Sequence, residues 1–255
     1  MNIQDSINLE GKVAIITGAS KGIGESIALA MGKAEARVAI PSRKKKALNE
    51  TADRLRRENI VVLAIAANAG NVDDLQNLVN RSVEHFDGID IIVNNAAANP
   101  VFGPVEDVEA WAFAKIMDVN VKGPFELARL ALPHMKKRGG GAIINISSIG
   151  GISPEPQLGI YSVSKAALIS LTKVMAKEWG SYGIRANVIC PGLIKTKFSE
   201  ALWSNDQVMQ HMLSKQPVAR VGTPEEIAAL ALFLATPAAG FSTGSVFMAD
   251  GGYTI

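Results

Sequence analysis

The chain has 255 residues, a formal net charge of +2 and one cysteine, Cys190. This length suits a single α/β unit, and scattered basic residues at near-neutral charge argue against nucleic-acid binding. A lone cysteine excludes an internal disulfide and favours a reducing compartment. The sequence shows no secretory signal and no run of about 18 apolar residues. We therefore expect a cytoplasmic protein that binds neither nucleic acid nor a membrane.

Short apolar runs alternate with longer helical patterns along nearly the whole chain. Buried-strand patterns rich in valine and isoleucine occur at 12–18, 37–42, 61–68, 89–97, 141–148, 185–192 and 245–252. Helical patterns occur at 24–35, 44–59, 73–86, 106–117, 122–138, 160–180 and 224–235. Strands this apolar are buried on both faces. They predict an α/β fold of the Rossmann type: a doubly wound, seven-strand parallel sheet with helices on both faces, in one domain spanning 1–255.

The segment 193–222 interrupts this alternation. It follows the sixth predicted strand and carries the large apolar residues Phe198, Leu202 and Trp203. Ligands of open α/β sheets bind beyond the carboxyl ends of the strands. The segment is therefore predicted to be a substrate lid, although a structural flap that only covers the sheet is an equal alternative.

A glycine-rich stretch, TGASKGIG, joins the first predicted strand to the first predicted helix. Gly18 permits a sharp turn, Gly22 allows close approach of the backbone to a phosphate, and Gly24 allows tight packing of the helix. The helix N-terminus offers free amides to a pyrophosphate. A plain glycine-rich turn is the alternative, since the spacing is G-x3-G-x-G rather than G-x-G-x-x-G.

The end of the second predicted strand carries Ser42 and Arg43 where dinucleotide sites often have a carboxylate. Without a carboxylate, an adenosine 2′-phosphate is not repelled, and a guanidinium binds phosphate through paired N–H donors. Lys21 in the glycine-rich turn adds a second cation. These residues predict a preference for NADP(H); NAD(H) is not excluded, because Ser42 could dominate the pocket.

Tyr161 and Lys165 stand four positions apart within a helical pattern, so they share one helix face. An ordinary tyrosine has a pKa near 10, and a neighbouring ammonium favours the phenolate. The pair therefore predicts a general acid with a lowered pKa, while an ordinary packed helix is the alternative. Ser148 lies thirteen residues before Tyr161, at the end of a predicted strand.

These features occur together with NNAA at 94–97, VNVKG at 119–123 and PGLIKT at 191–196. With them the chain resembles the classical short-chain dehydrogenase/reductase family over residues 9–255, and within it the 3-oxoacyl reductase and carbonyl reductase types. The resemblance implies the doubly wound fold and a homotetramer. Two departures are Asn68-Ala69 in place of Asp-Val, and Ala97 in place of a glycine.

The resemblance also assigns catalytic roles. Ser148 would hold the carbonyl oxygen, Tyr161 would donate the proton, and Lys165 would also bind the nicotinamide ribose. Asn120 would hold a water in a proton relay, unless it only satisfies local backbone. Asn94 would fix the strand beside the cofactor.

The resemblance also implies a cofactor site with residues from several separate stretches of the chain. Its members are Gly18, Ser20, Lys21, Gly22, Ile23, Gly24, Ser42, Arg43, Asn68, Ala69, Asn95, Ala96, Tyr161, Lys165, Pro191, Gly192, Ile194 and Thr196. The histidines lack metal-ligand spacing, so no metal site is predicted.

The function predicted is NADPH-dependent, reversible reduction of a small-molecule ketone or other carbonyl compound. The alternatives are an NAD-dependent alcohol dehydrogenase of the same family and a catalytically silent dinucleotide sensor or scaffold. Apolar residues around the expected pocket favour an apolar or aromatic ketone, and Glu155, the only charge there, disfavours strongly anionic substrates. These apolar residues are Ala98, Pro100, Val101, Phe102, Ile149, Pro154, Pro156, Leu158, Phe198, Leu202 and Trp203.

Overall fold

The computed structural model describes residues 5–204 and 206–255, so residues 1–4 and Asn205 of the predicted domain and lid lie outside the described part. Seven parallel strands form one sheet in the order β3-β2-β1-β4-β5-β6-β7. Their bounds are β1 Val13–Ile16, β2 Arg37–Ser42, β3 Val62–Ala66, β4 Ile91–Asn94, β5 Gly141–Ile146, β6 Ile184–Pro191 and β7 Val246–Ala249. The predicted doubly wound sheet is confirmed.

Helices follow the strands in regular alternation. Their bounds are α1 Gly22–Lys33, α2 Lys45–Arg57, α3 Val72–Phe86, α4 Ala110–Met117, α5 Gly123–Lys137, α6 Gly159–Trp179, α7 Glu200–Trp203, α8 Asp206–Ser214 and α9 Pro224–Ala235. A π-helical turn, Asp118–Lys122, joins α4 to α5. Among the described helices, none has both the length and the apolar character needed to cross a membrane.

Helices cover both faces of the sheet. Successive side chains of a strand point to opposite sides, so each strand contributes to the core on both faces. In β1, Ala14 and Ile16 join a core cluster that includes residues of α1, α2 and α9. Val13 and Ile15 join the cluster on the other face, which includes residues of α3, α5 and α6. Both faces of β1 are therefore buried, as its unbroken apolar sequence predicts.

Several predicted elements are shorter in the structure. The predicted strand 245–252 ends at Ala249, because Gly251 and Gly252 have positive φ values of 66° and 85°, which a strand does not accept. The predicted helix 106–117 begins only at Ala110, since the extended backbone of Val108 separates it from a 3-10 turn at Val105–Asp107. By contrast, α9 has the predicted bounds, and a capping box between Thr223 and Glu226 fixes its start.

The amino edge of the sheet contains a buried carboxylate, Asp90, whose side chain is 3% exposed. Its Oδ2 accepts hydrogen bonds from the Val13 backbone N–H at 3.0 Å and from Arg138 Nη2 at 3.1 Å. Arg138 also donates to the Gly11 carbonyl at 2.9 Å. The Asp90 partnership raises the pKa of Arg138. At this edge the charged groups of Asp90 and Arg138 thus pair with each other and with neighbouring backbone groups.

Candidate active site

The predicted site residues converge on the opposite, carboxyl edge of the sheet. Because all seven strands are parallel, the loops that leave their carboxyl ends share this edge. The glycine-rich turn follows β1, Ser42 ends β2, Asn95 follows β4, Ser148 follows β5 and Gly192 follows β6. Tyr161 and Lys165 lie in the first two turns of α6, which begins at the same edge.

The glycine-rich turn has the shape that a phosphate cradle requires. Gly18 and Gly22 have φ values of 68° and 58°, in the left-handed region that favours glycine. A Cβ on Gly24 would collide with the Asn95 amide and lie 2.5 Å from the Gly18 carbonyl oxygen. Lys21, at the N-cap of α1, makes no side-chain cap, so the first amides of the helix remain available to an anion. The turn therefore fits a dinucleotide pyrophosphate.

Thr17 fastens this turn to β4, a role that the sequence analysis missed. Its Oγ1 accepts hydrogen bonds from the backbone N–H groups of Asn95 and Ala96, both at 3.0 Å. Asn95 Nδ2 returns a hydrogen bond to the Thr17 carbonyl at 3.0 Å. The signal available in the sequence was the position of Thr17, a hydroxyl-bearing residue between the apolar residues of β1 and Gly18. Thr17 and Asn95 together fix the position of the cradle.

The adenosine end of the crevice combines serine hydroxyls with exposed cations. Ser42 Oγ lies 3.4 Å from Ser20 Oγ, so the end of β2 contacts the glycine-rich turn. Arg43 and Lys21 are both exposed beside this contact. Ser42 and Ser20 are thus brought together, and Lys21 and Arg43 are their neighbours along the chain.

The end of β3 forms the neighbouring wall. Asn68 Oδ1 accepts from Gly70 N at 3.2 Å, and its backbone N–H donates to Asp74 Oδ2 at 2.8 Å. The side-chain oxygen of Asn68 therefore shapes its own loop. Ala69 and Ala96 line one shallow crevice that also borders Thr17.

The predicted catalytic side chains stand between β5 and the start of α6. Lys165 is 2% exposed, and its Nζ donates to the Ile146 carbonyl at 2.8 Å. This Nζ lies 5.6 Å from the centroid of the Tyr161 ring. Ser148 Oγ accepts from Gly150 N at 3.1 Å and is close enough to Tyr161 to lower the pKa of its phenol.

The protonation of this group differs from the prediction. Burial raises the pKa of Tyr161 to about 12, although Ser148 acts in the opposite direction. The predicted lowering of the phenol pKa by Lys165 is therefore wrong for this arrangement: Tyr161 is partly buried, and the Lys165 ammonium bonds to the Ile146 carbonyl instead. Burial also lowers the pKa of Lys165 to about 8.

Asn120 lies in the π-helical turn, a feature that is frequent at functional sites. Its Oδ1 accepts from Ala98 N at 2.7 Å, and its Nδ2 donates to Ala98 O and Ser164 Oγ, both at 3.0 Å. Ser164 donates in turn to the Tyr161 carbonyl at 2.6 Å. The Asn120 side chain thus links the loop after β4 to α6. Its partner Ser164, which lies between Tyr161 and Lys165, was not predicted from the sequence.

Asn94 acts within the sheet. Its Nδ2 donates to Asn145 Oδ1 at 2.8 Å, and Asn145 donates to Thr172 Oγ1 on α6 at 2.8 Å. This buried chain joins β4 and β5 to the helix that carries Tyr161 and Lys165.

The segment after β6 forms the remaining wall of the crevice. Pro191 ends the strand, and a Cβ on Gly192 would lie 2.8 Å from Asp250 Cα. Ile194 is buried in the core, so contact with a ligand would fall to its backbone. Thr196 lies against the glycine-rich turn, with its Cγ2 3.2 Å from a Cβ placed on Gly22.

The two ends of the segment 193–222 meet, and the stretch between them approaches Tyr161. Ile194 and Gly222 form an isolated parallel bridge, and Lys195 N donates to the Gly222 carbonyl at 2.9 Å. Beyond this bridge, the Phe198 ring centroid lies 6.3 Å from that of Tyr161. Trp203 Nε1 donates to the Thr196 carbonyl at 2.8 Å, which folds the segment back on itself.

These groups define a class of protein. A phosphate cradle at the switch point of a doubly wound sheet, with a serine, a tyrosine and a lysine beside it, is a dinucleotide-dependent oxidoreductase site. Within the described residues, no group of three or more histidine, cysteine, aspartate or glutamate side chains could hold a metal ion.

Comparison with known proteins gives the family. A family model described as enoyl-(acyl carrier protein) reductase matches residues 18–254. Dehydrogenase/reductase SDR family member 4 of Sus scrofa is 38% identical over 244 residues, which cover 96% of this chain and 88% of the relative. The chain belongs to the short-chain dehydrogenase/reductase family and is an NAD(P)-dependent oxidoreductase.

Solved structures agree with the fold but differ in cofactor. A gluconate 5-dehydrogenase from Burkholderia cenocepacia J2315, in complex with NADP and tartrate, has a TM-score of 0.95 and 31% identity, covering 99% of each chain. A 7α-hydroxysteroid dehydrogenase complexed with NADH and 7-oxo glycochenodeoxycholic acid has a TM-score of 0.95 and 33% identity, covering 99% of this chain and 98% of the other.

Proposed function

We propose that this oxidoreductase is a cytoplasmic, NADPH-dependent reductase of an apolar or aromatic ketone, able to run in reverse as an alcohol dehydrogenase. The observation that carries the proposal is the convergence of Ser148, Tyr161 and Lys165 beside the phosphate cradle. Exposed Phe198 and Phe102 are among the apolar side chains available to such a substrate.

The protein's part in the reaction is proton delivery. When bound, the nicotinamide supplies a hydride to the carbonyl carbon, and negative charge builds on the carbonyl oxygen. Ser148 orients that oxygen by hydrogen bonding, and Tyr161 gives it the phenolic proton. With its pKa near 12, Tyr161 is protonated at neutral pH and is ready to act as the acid. Lys165, largely cationic below pH 8 and 5.6 Å from the Tyr161 ring centroid, is the proposed source of the proton that returns to the phenolate.

Asn120 is the proposed positioning residue for this acid. Its side chain ties Ala98 to Ser164, and Ser164 bonds to the backbone of Tyr161. A water held next to Asn120 would return a proton through Lys165 to the phenolate. Because the Asn120 side chain bonds to Ala98 and Ser164, the water rather than Asn120 itself would contact Lys165.

The preference for NADPH rests on charge at the end of β2. Arg43 and Lys21 are exposed where a 2′-phosphate would lie, and Ser42 replaces the carboxylate that would repel it. The alternative, an NAD-dependent dehydrogenase, is favoured by one observation: the Ser42 and Ser20 hydroxyls adjoin and could bind ribose hydroxyls directly.

Arg43→Asp separates these alternatives. We expect NADPH affinity to fall at least about tenfold relative to NADH affinity, because a bidentate cation is replaced by a repelling charge. Arg57→Asp, the same charge change at the other end of α2, is the matched control and should leave the ratio unchanged. A ratio that does not fall in Arg43→Asp would reject the NADPH assignment.

A substrate panel tests the reaction itself. Oxidation of NADPH is followed with aryl ketones, 3-oxoacyl thioesters and sugars at equal concentration. Aryl ketones should give the highest kcat/KM because the residues around the pocket are mostly apolar. Turnover of sugars alone would contradict the proposed substrate class, and no turnover at all would contradict the reductase.

We also propose that the chain forms a homotetramer through α4, α5 and α6. Large apolar side chains on these helices are exposed, namely Trp111, Phe113, Phe125, Val163 and Val174. Such a group of side chains is typical of a surface covered by another copy. Light scattering after gel filtration should give about four times the 27.0 kDa chain mass. A Val174→Glu variant should dissociate, whereas a monomeric unmodified chain would refute the assembly.

The segment 193–222 is the proposed lid. Phe198 already lies near Tyr161, so closure over a substrate would exclude water from the acid. Saturating NADPH should slow proteolysis within this segment. Equal proteolysis with and without cofactor would favour a fixed flap.

A further inference from the structure

Three segments of the chain meet on one side of the proposed substrate pocket. The C-terminal tail leaves the carboxyl end of β7, the loop 152–158 joins Ser148 to Tyr161, and residues 215–218 follow α8 at the end of the lid. The contact between tail and loop is a hydrogen bond from Tyr253 Oη to Glu155 Oε1, at 2.7 Å. None of these three segments forms part of the cofactor cradle.

Hydrogen bonds fix the position of the tail around Tyr253. Gln216 Nε2 donates to the Asp250 carbonyl at 3.0 Å, and Val218 N donates to the Gly251 carbonyl at 3.0 Å. Asp250 Oδ2 accepts from the Thr254 backbone N–H at 3.0 Å and from its hydroxyl at 2.7 Å. The position of Tyr253 is therefore fixed by contacts on both sides of it along the chain.

Glu155 accepts a hydrogen bond from an uncharged group, the phenol of Tyr253. It is half-buried, and the ion pairs in the described part of the chain do not include it. The nearby cation Lys215 packs on Tyr253, with its Nζ 5.8 Å from the ring centroid. Burial and the bond to Glu155 raise the pKa of Tyr253 to about 12, so the phenol remains a neutral donor. A carboxylate held by a neutral group keeps its negative field, which is strong in a partly buried site.

We propose that Glu155, positioned by Tyr253, is a specificity-determining residue that discriminates against anionic carbonyl substrates. The loop that bears it connects the two residues proposed to contact the carbonyl oxygen, Ser148 and Tyr161. Tyr253, which holds Glu155, belongs to a tail that contacts the end of the lid through Val218, and Phe198 of the same lid lies 6.3 Å from the Tyr161 ring. A substrate carboxylate that extended from the reacting carbonyl toward this side would meet the Glu155 charge. This inference rests on the proposed ketone reductase activity.

The test compares two aryl ketones that differ mainly in charge, 4-acetylbenzoate and its methyl ester. The measured quantity is kcat/KM for the anion divided by kcat/KM for the ester. Glu155→Gln removes the charge and keeps an oxygen that can accept from Tyr253. This ratio should rise about tenfold in Glu155→Gln, since like-charge repulsion at close range has that order.

Glu178→Gln is the matched control. Glu178 is exposed on α6, 17 residues beyond Tyr161, which is about 25 Å along a helix and well outside the screening length. Its ratio should equal that of the unmodified enzyme. The ratio of the unmodified enzyme should also rise with salt, whereas that of Glu155→Gln should not.

The outcomes separate the two proposals. If the ester is reduced and the ratio is the same in the unmodified enzyme and in Glu155→Gln, the role of Glu155 is wrong and the reductase stands. An equal rise in Glu178→Gln would also overturn it, since the effect would be one of overall charge. If the unmodified enzyme reduces neither ketone, the proposed substrate class fails and this inference fails with it.

Discussion

The buried charges at the two edges of the sheet have different kinds of partner. At the amino edge, the Asp90 carboxylate pairs with Arg138 and accepts the Val13 backbone N–H. At the carboxyl edge, the Lys165 ammonium is as deeply buried, yet its hydrogen-bond partner is an uncharged carbonyl, that of Ile146. Ion pairs in the described part of the chain include Asp90 but not Lys165.

The difference explains which edge is stable and which is reactive. A buried charge with matched partners holds neighbouring segments together, and removing one partner is costly. A buried charge without a counter-charge has a displaced pKa, which is a frequent property of catalytic groups. The shifted pKa values of Lys165, near 8, and Tyr161, near 12, agree with the chemistry proposed for the carboxyl edge.

Tyr161→Phe is expected to give the largest effect. Loss of the proton donor should lower kcat for ketone reduction about 10³-fold, within the range known for general acids. NADPH affinity, measured by fluorescence titration, should stay within about threefold, because the cradle is formed by the turn after β1. Residual activity above about 10% would mean that another group supplies the proton.

Asp90→Asn tests the amino edge. The variant weakens the contacts with Arg138 and Val13, so the free energy of unfolding should drop by about 3 kcal/mol in urea titrations. The kcat of the folded variant should remain close to that of the unmodified enzyme. A large loss of kcat without a loss of stability would contradict the division between the two edges.

Lys165→Met should remove activity and yet stabilise the fold by about 2 kcal/mol at pH 7. The folded pKa of Lys165 is about 8, below its ordinary value of 10.5, so the unfolded chain binds more protons between these values. The stability of the unmodified protein thus rises with pH through this window, and the advantage of the variant should disappear by about pH 10.5. Thermal unfolding at pH 7 and pH 10 measures this change. A variant less stable at both pH values would show that the ammonium is well compensated.

The fold was largely predictable from the sequence because burial on both sheet faces leaves unbroken apolar strands. Val13–Ile16 and Ile91–Asn94 lie within predicted strands. Element ends were less predictable, because they depend on backbone angles such as those of Gly251 and Val108. The π-helical turn at Asp118–Lys122 has no periodic signature in so short a segment.

For the site, spacing predicted which residues come together, but not their environment. The four-residue interval between Tyr161 and Lys165 correctly placed both at the start of α6. Their pKa shifts depend on how completely surrounding segments exclude water, which a local motif does not contain. The role of Thr17 was not predicted for a related reason: its partners Asn95 and Ala96 lie far along the chain.

The narrow neck formed by Ile194 and Gly222 has an evolutionary consequence. Both ends of the intervening stretch return to the same point, so its length and sequence can change while the sheet and the proton donor stay in place. Recombination or insertion between these two positions would change the residues that lie near Tyr161, such as Phe198, and would leave the strands unchanged. Diversification of the catalyst could then proceed without rebuilding its scaffold.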